Sequence, residues 1–399
     1  MRAMRNSILL VRQSSRVPVL LAFMLGHLTH HVSTAAMIPL LPMMRDSLQM
    51  DYLRAGMLLS AFSISYGFAQ LPTAWLADRV SGRKVVSLGL LATGLGCIGV
   101  GLSHDYTQVF LCFMVMGMAG STYHAPSSSF LSQTFDRESR GRSLGVHTAA
   151  GTVGLMVAPV LAILTANLSG DWRNSFLLMG CPAILAGALL WVVARHQDGT
   201  NRKAVTKEKA EPLNPRQLLR ALGLLMGIAI LTQLVTSAMN SFLPLFLTDK
   251  HGVSNDYAGL MMMVVYGAGV IGGPAGGAIS DRIGRKPVIL SSIVMIGVML
   301  FFVTSLPFGP LMIGAVAIYG ASMCFRLPAM ESHVADLVPA RRRATVLGGY
   351  YFLSQETQGI STPLVGWMLD QFGIENGFHY LAYFALACSA LVLLIRKRV

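Results

Sequence analysis

His27 and His31 stand one helical turn apart in a long apolar run, with His30 between them. Imidazoles in such a setting can exchange protons, hold a polar ligand or take a transition metal. No cysteine or carboxylate accompanies them in that run, so the sequence assigns them no metal. Further along, His124, His147, Arg326, Glu331, His333 and Glu356 also fall inside apolar stretches. Ionisable groups are expensive to bury there, which makes each a functional candidate. Glu356 lies near the middle of its stretch and Glu331 nearer an end, and either carboxylate, or His30, could carry a proton. An arginine is almost always charged, so Arg326 needs an acid partner or an anion. Two readings stay open: a permanent Arg326–Glu356 ion pair, or a ligand anion that competes for Arg326 and frees Glu356 to take a proton.

The apolar stretches decide what kind of element positions these groups. Of 399 residues, 53% are hydrophobic and only 12% charged, and the mean hydropathy is +0.58. A chain so apolar does not have water as its main solvent. Stretches of about 20 residues, the length that crosses a bilayer as a helix, recur throughout. The expected spans are 17–41, 51–76, 84–103, 107–133, 143–168, 174–194, 218–247, 255–280, 286–306, 308–334, 343–369 and 376–396. The 40 glycines suit close helix–helix approach in lipid.

A net charge of +13 could suggest nucleic acid, but the charge is divided among short loops on alternate sides. Of the 31 Lys and Arg, 26 lie on the side of both termini, and Arg45, Arg54, Arg173 and Lys250 lie on the other. That bias places both termini in the cytoplasm of a cell membrane and excludes a nucleic-acid surface. The five cysteines lie in apolar spans without a CxxC pair and read as packing residues. No GxxxxGK[ST] phosphate loop is present, which argues against an ATP-driven pump.

Residues 195–217 form the one long polar stretch and read as a cytoplasmic linker between two halves, 1–194 and 218–399. The halves repeat each other. Asp51-Tyr52 returns as Asp256-Tyr257 after 205 residues, and Asp78-Arg79 as Asp281-Arg282 after 203. The run YHAP at 123–126 precedes FRLP at 325–328 by 202 residues, and Pro159 precedes Pro363 by 204. His124 and Arg326 therefore occupy equivalent places, each two residues before a proline. Six helices per half, with each half starting and ending on one side, imply a pseudo-two-fold axis along the membrane normal.

The run GAISDRIGRK at 277–286 resembles the GxxxDRxGR(R/K) signature of the major facilitator superfamily. The run AWLADRVSGRK at 74–84 is a weaker copy, with Ala for the leading Gly and one extra residue before Gly82. The resemblance implies an all-α membrane fold of twelve helices. It also implies that Asp78, Arg79, Arg83, Asp281, Arg282 and Arg285 act as gates, with the arginines pairing across the linker-side seam in one state only. Gly145, Gly154, Ala158 and Pro159 follow the antiporter spacing G-x8-G-x3-GP with Ala158 for the last Gly, and would pack the fifth helix at the seam between halves. Phe113 stands where such exporters usually carry an arginine. Through Gly26-His27-Leu28, Pro39-Leu40-Leu41 and the run GSTYHAPSS at 120–128, the chain is similar to the fosmidomycin-resistance group of drug–proton exporters.

In that family the first, fourth, seventh and tenth helices line a central cavity. The resemblance therefore implies substrate contacts from Arg326, His124, His27, His31, Tyr123, Gln233 and Asn240, and proton coupling through Glu356, Glu331 or His30. The expected protein is a monomeric, non-enzymatic exporter of a small anionic or amphiphilic molecule, with no cofactor and a proton gradient as its energy source. An importer of a metabolite anion would use much the same residues. A sensor or scaffold on the same fold is the remaining class.

Overall fold

In the computed structural model, the described residues are 2–135, 137–194, 215–337 and 343–394, and among them the secondary structure is helical with no strand. Most of the expected linker, 195–214, lies outside them. The first half runs α1 (Arg2–Ala35), α2 (Met37–Leu48), α3 (Tyr52–Arg79), α4 (Gly82–Gly101), α5 (Tyr106–Gly120), α6 (His124–Thr134), α7 (Arg137–Ser169) and α8 (Trp172–Val193). The second runs α9 (Pro215–His251), α10 (Asn255–Ile283), α11 (Arg285–Ser305), α12 (Pro310–Leu337), α13 (Arg343–Phe372) and α14 (Ile374–Leu394).

These fourteen helices make twelve spans, because two spans are broken. Pro39 has no N–H to offer the carbonyl of Ala35, and α1 ends at Ala35 before α2 resumes. Between α5 and α6 the Ser121 and Thr122 hydroxyls donate to the carbonyls of Met118 and Ala119, competing with the helical ladder. Pro126 then falls in the first turn of α6, where a missing N–H costs nothing. The repeat-equivalent Pro328 sits inside an unbroken α12. Seven of the described helices are long and apolar enough to cross a membrane by length and composition alone. Large side chains such as Leu168 (81% exposed) and Ile271 (76% exposed) cover the outside, a surface suited to lipid rather than water.

The contacts repeat with the sequence. The α3–α5, α4–α8 and α1–α7 pairs of the first half correspond to α10–α12, α11–α14 and α13–α9 of the second. The halves meet along two seams, α3 on α13 and α7 on α10. The fold is thus two six-span halves related by a pseudo-two-fold axis, as the repeat implies.

Asp51, Asp105 and Asp171 cap α3, α5 and α8 by accepting from the N–H groups of Arg54, Gln108 and Arg173. Gly284 ends α10 with φ +94°, a conformation that explains the glycine of the DRxGR run.

Candidate substrate site

The broken fourth span brings Tyr123 and His124 onto the histidines of α1. His27 lies 4.9 Å from His31, 5.1 Å from both Tyr123 and His124, and 4.3 Å from His147 of α7, ring centre to ring centre. His30 stacks on Tyr123 at 5.0 Å and meets His124 edge-on at 5.3 Å. Five histidines and a tyrosine from three helices thus form one cluster. His147, which the sequence reading placed in an apolar span without a role, is the fifth. The Tyr123 hydroxyl donates to the Phe23 carbonyl and also approaches His147 Nε2 at 3.3 Å.

The cluster is possible because α7 is stripped of side chains where it faces α1. A Cβ on Gly151 would lie 2.5 Å from Cε1 of His27, and one on Gly154 would lie 2.6 Å from the Leu28 carbonyl oxygen and 3.0 Å from the His31 Cβ. Such distances are not tolerated without movement. Gly154 therefore packs α7 onto α1 of its own half, whereas the sequence reading placed it at the seam. Gly145 is exposed, with nothing within 4 Å of where a Cβ would stand. Pro159 lies inside α7 without ending it.

In the second half, Arg326 is 2% exposed on α12, and neither its Nε nor its Nη1 has a hydrogen-bond partner. Two turns earlier Tyr319 donates to Asn240 of α9 at 3.1 Å, and Asn240 in turn contacts the Met323 sulfur at 3.2 Å. Gln233 is half-buried two turns before Asn240 on α9. Glu331 accepts from Tyr351 of α13 and is near enough to feel the charge of Arg326. Glu356 is not ion-paired with Arg326. Its carboxyl packs on Gly67 of α3, across the seam between halves, and Oε1 has no partner.

Several contacts of the gating residues lie within their own halves. Arg285 pairs with Asp281 one turn away and donates to the Ser280 hydroxyl at 2.8 Å. Arg83 is buried and donates to the Trp191 carbonyl of α8 at 2.7 Å, and Arg79 lies 3.6 Å over the Trp75 ring. Arg282 is exposed, and the side chain of Asp78 lies outside the described residues.

The opposite end of the bundle is tied across the halves. Asp370 of α13 accepts from the N–H groups of Tyr52 and Leu53 at 2.9 and 2.8 Å. Asp249 of α9 takes Arg45 of α2 and the Tyr52 hydroxyl. Asn167 of α7 donates to Asp256 of α10. None of Arg45, Asn167, Asp249 or Asp370 was singled out for this role from sequence. The signal was available: Asn167 and Asp370 are separated by 203 residues, the repeat spacing, and each meets the first turn of the opposite half's second span.

The sequence profile of the Major Facilitator Superfamily matches residues 23–254 and 225–399. The fosmidomycin resistance protein of Escherichia coli (strain K12) is 22% identical over 373 residues, covering 92% of this chain and 90% of the relative. The hexuronate transporter of Bacillus subtilis (strain 168) is 23% identical over 387 residues, covering 92% and 91%. Among solved structures, the bacterial homologue of the human lysosomal transporter Spinster, in its inward-facing unoccupied conformation, superposes with a TM-score of 0.80 at 17% identity, covering 96% of this chain and 97% of that one.

Proposed function

The chain belongs to the Major Facilitator Superfamily, and on that basis we propose that it exports a small organic anion by proton-coupled alternating access. The observation that carries the anion is Arg326, 2% exposed with two guanidinium nitrogens unpartnered. A buried, permanently charged fork with free donors is matched by a carboxylate, phosphonate or sulfonate that can accept two parallel hydrogen bonds. The hexuronate in the name of the Bacillus subtilis relative is a carboxylate and supports the same substrate class.

Coupling is assigned to Glu356. Its carboxyl spans the α3–α13 seam against Gly67 without an ion-pair partner, so adding or removing a proton there changes the free energy of keeping the seam closed. With the linker in the cytoplasm, the ties through Asp370, Asp249 and Asn167 hold the outer end shut. This is the arrangement expected of an inward-facing state ready to load from the cytoplasm.

Proteoliposome flux tests the reading. An imposed proton gradient should drive movement of a sugar acid or phosphonate, and Arg326→Ala should abolish it. Gradient-independent movement, or no movement of any organic anion, would count against it.

A further inference from the structure

The geometry points to a divalent transition-metal site formed by His27, His31 and His124. One ligand nitrogen from each residue lies within 4.8 Å of the other two. Nitrogens around a tetrahedral Zn2+ stand roughly 3.3 Å apart, given Zn–N bonds of about 2.0–2.1 Å. Closing that difference requires the three rings to turn towards a common point. His27 and His31 come from successive turns of α1, and His124 opens α6, so the third ligand arrives from the chain break just before it.

A second observation concerns the tautomer. His27 Nδ1 lies 2.8 Å from the carbonyl oxygen of His147, a contact it can make only by donating. The proton is thereby held on Nδ1, and Nε2 carries a lone pair. That Nε2 is buried and has no hydrogen-bond partner. An imidazole whose outer nitrogen donates to a backbone carbonyl while the inner one presents a bare lone pair is the usual arrangement of a metal-bound histidine. Gly151 lets the ring occupy this position, because any Cβ there would overlap it.

Two alternatives explain these features less well. A proton store would place like charges about 5 Å apart on neighbouring imidazoles of the cluster. In a merely packed cluster the bare lone pair of His27 Nε2 would be a cost with nothing to offset it, since buried acceptors normally find donors. Among the described residues no carboxylate or cysteine joins the trio. Three neutral imidazoles leave the ion its full charge and an open position, which a water or an anionic ligand would fill. Borderline ions such as Zn2+, Co2+ or Ni2+ suit this donor set, whereas Mg2+ and Ca2+ do not. The site is independent of the proposal that the transported substrate is an anion.

Tag-free protein purified in detergent should be titrated with Co2+, followed by its visible absorption, and then with Zn2+ in competition. One Co2+ per chain should bind and be displaced by Zn2+. His31→Ala and His124→Ala should each weaken binding at least tenfold, while His379→Ala, at a half-buried histidine of α14 outside the cluster, should leave it unchanged. His124→Cys, which restores a ligand, should bind Co2+ with a new thiolate charge-transfer band. No saturable Co2+ binding in the unmodified chain overturns the site, as does affinity equal to the unmodified chain's in either alanine variant or a His124→Cys protein without the band. A metal site that forms while anion transport fails would separate this proposal from the functional one.

Discussion

The carboxylate of Asp370, on the second half's α13, caps the N-terminus of the first half's α3 through the backbone N–H of Tyr52 at 2.9 Å and that of Leu53 at 2.8 Å. Asp51 caps the same helix end from within its own half, through Arg54. The α3 terminus thus has one cap that travels with it and one that belongs to the opposite half. Only the second is broken when the halves part.

Asp370→Ala should therefore favour opening at this end. Loss of a carboxylate cap costs about 1 kcal/mol, which corresponds to about a fivefold change in an equilibrium. Spin-label distances between the Tyr52 end of α3 and the Asp370 end of α13 should show the wider population rising by about that factor. An unchanged distribution would mean that the contact does not hold the state.

Gly151→Ala should destabilise the first half, because its Cβ would lie 2.5 Å from a His27 ring atom. Overpacking of this kind costs about 1–3 kcal/mol. Gly145→Ala, in open space, should be neutral. Thermal unfolding of the two variants in the same detergent checks the contrast.

Arg326→Ala should weaken organic-anion binding by about tenfold to a hundredfold, the range expected when charged hydrogen bonds of about 1.5–3 kcal/mol are lost. Arg326→Lys should lose less, since the charge remains and the fork geometry does not. Ligand-induced thermal shifts on well-folded protein measure both. Equal affinity in all three proteins would remove Arg326 from the site.

Glu356→Gln should uncouple transport from the proton gradient while anion exchange across the membrane continues. Flux with and without a gradient distinguishes the two. If gradient-driven flux survives, the coupling proton is carried elsewhere, with Glu331 the next carboxylate to test.

Asp281→Asn should slow turnover without impairing insertion, because it weakens the pair with Arg285 and leaves the apolar spans untouched. A correctly inserted variant with normal turnover would show that the pair only shapes the α10–α11 turn.

Most of the fold was legible in the sequence, because each span must satisfy its own backbone hydrogen bonds and is therefore written locally as an apolar run of bilayer length. The repeat spacing, the DRxGR run and the equivalence of His124 with Arg326 are local or periodic in the same way. What pairs with what was not local. The sequence placed Glu356 near Arg326, but its carboxyl packs on Gly67, because the α3–α13 seam brings together helices some 290 residues apart in the chain. It grouped His27, His30 and His31 but left His124 and His147 apart from them, and the break before Pro126 and the bare face of α7 at Gly151 gather all five into one cluster. The ties at Asp370, Asp249 and Asn167 belong to one arrangement of two halves that can pack in more than one way. A conformational state is a choice among packings of the same helices, so no single segment of sequence carries it.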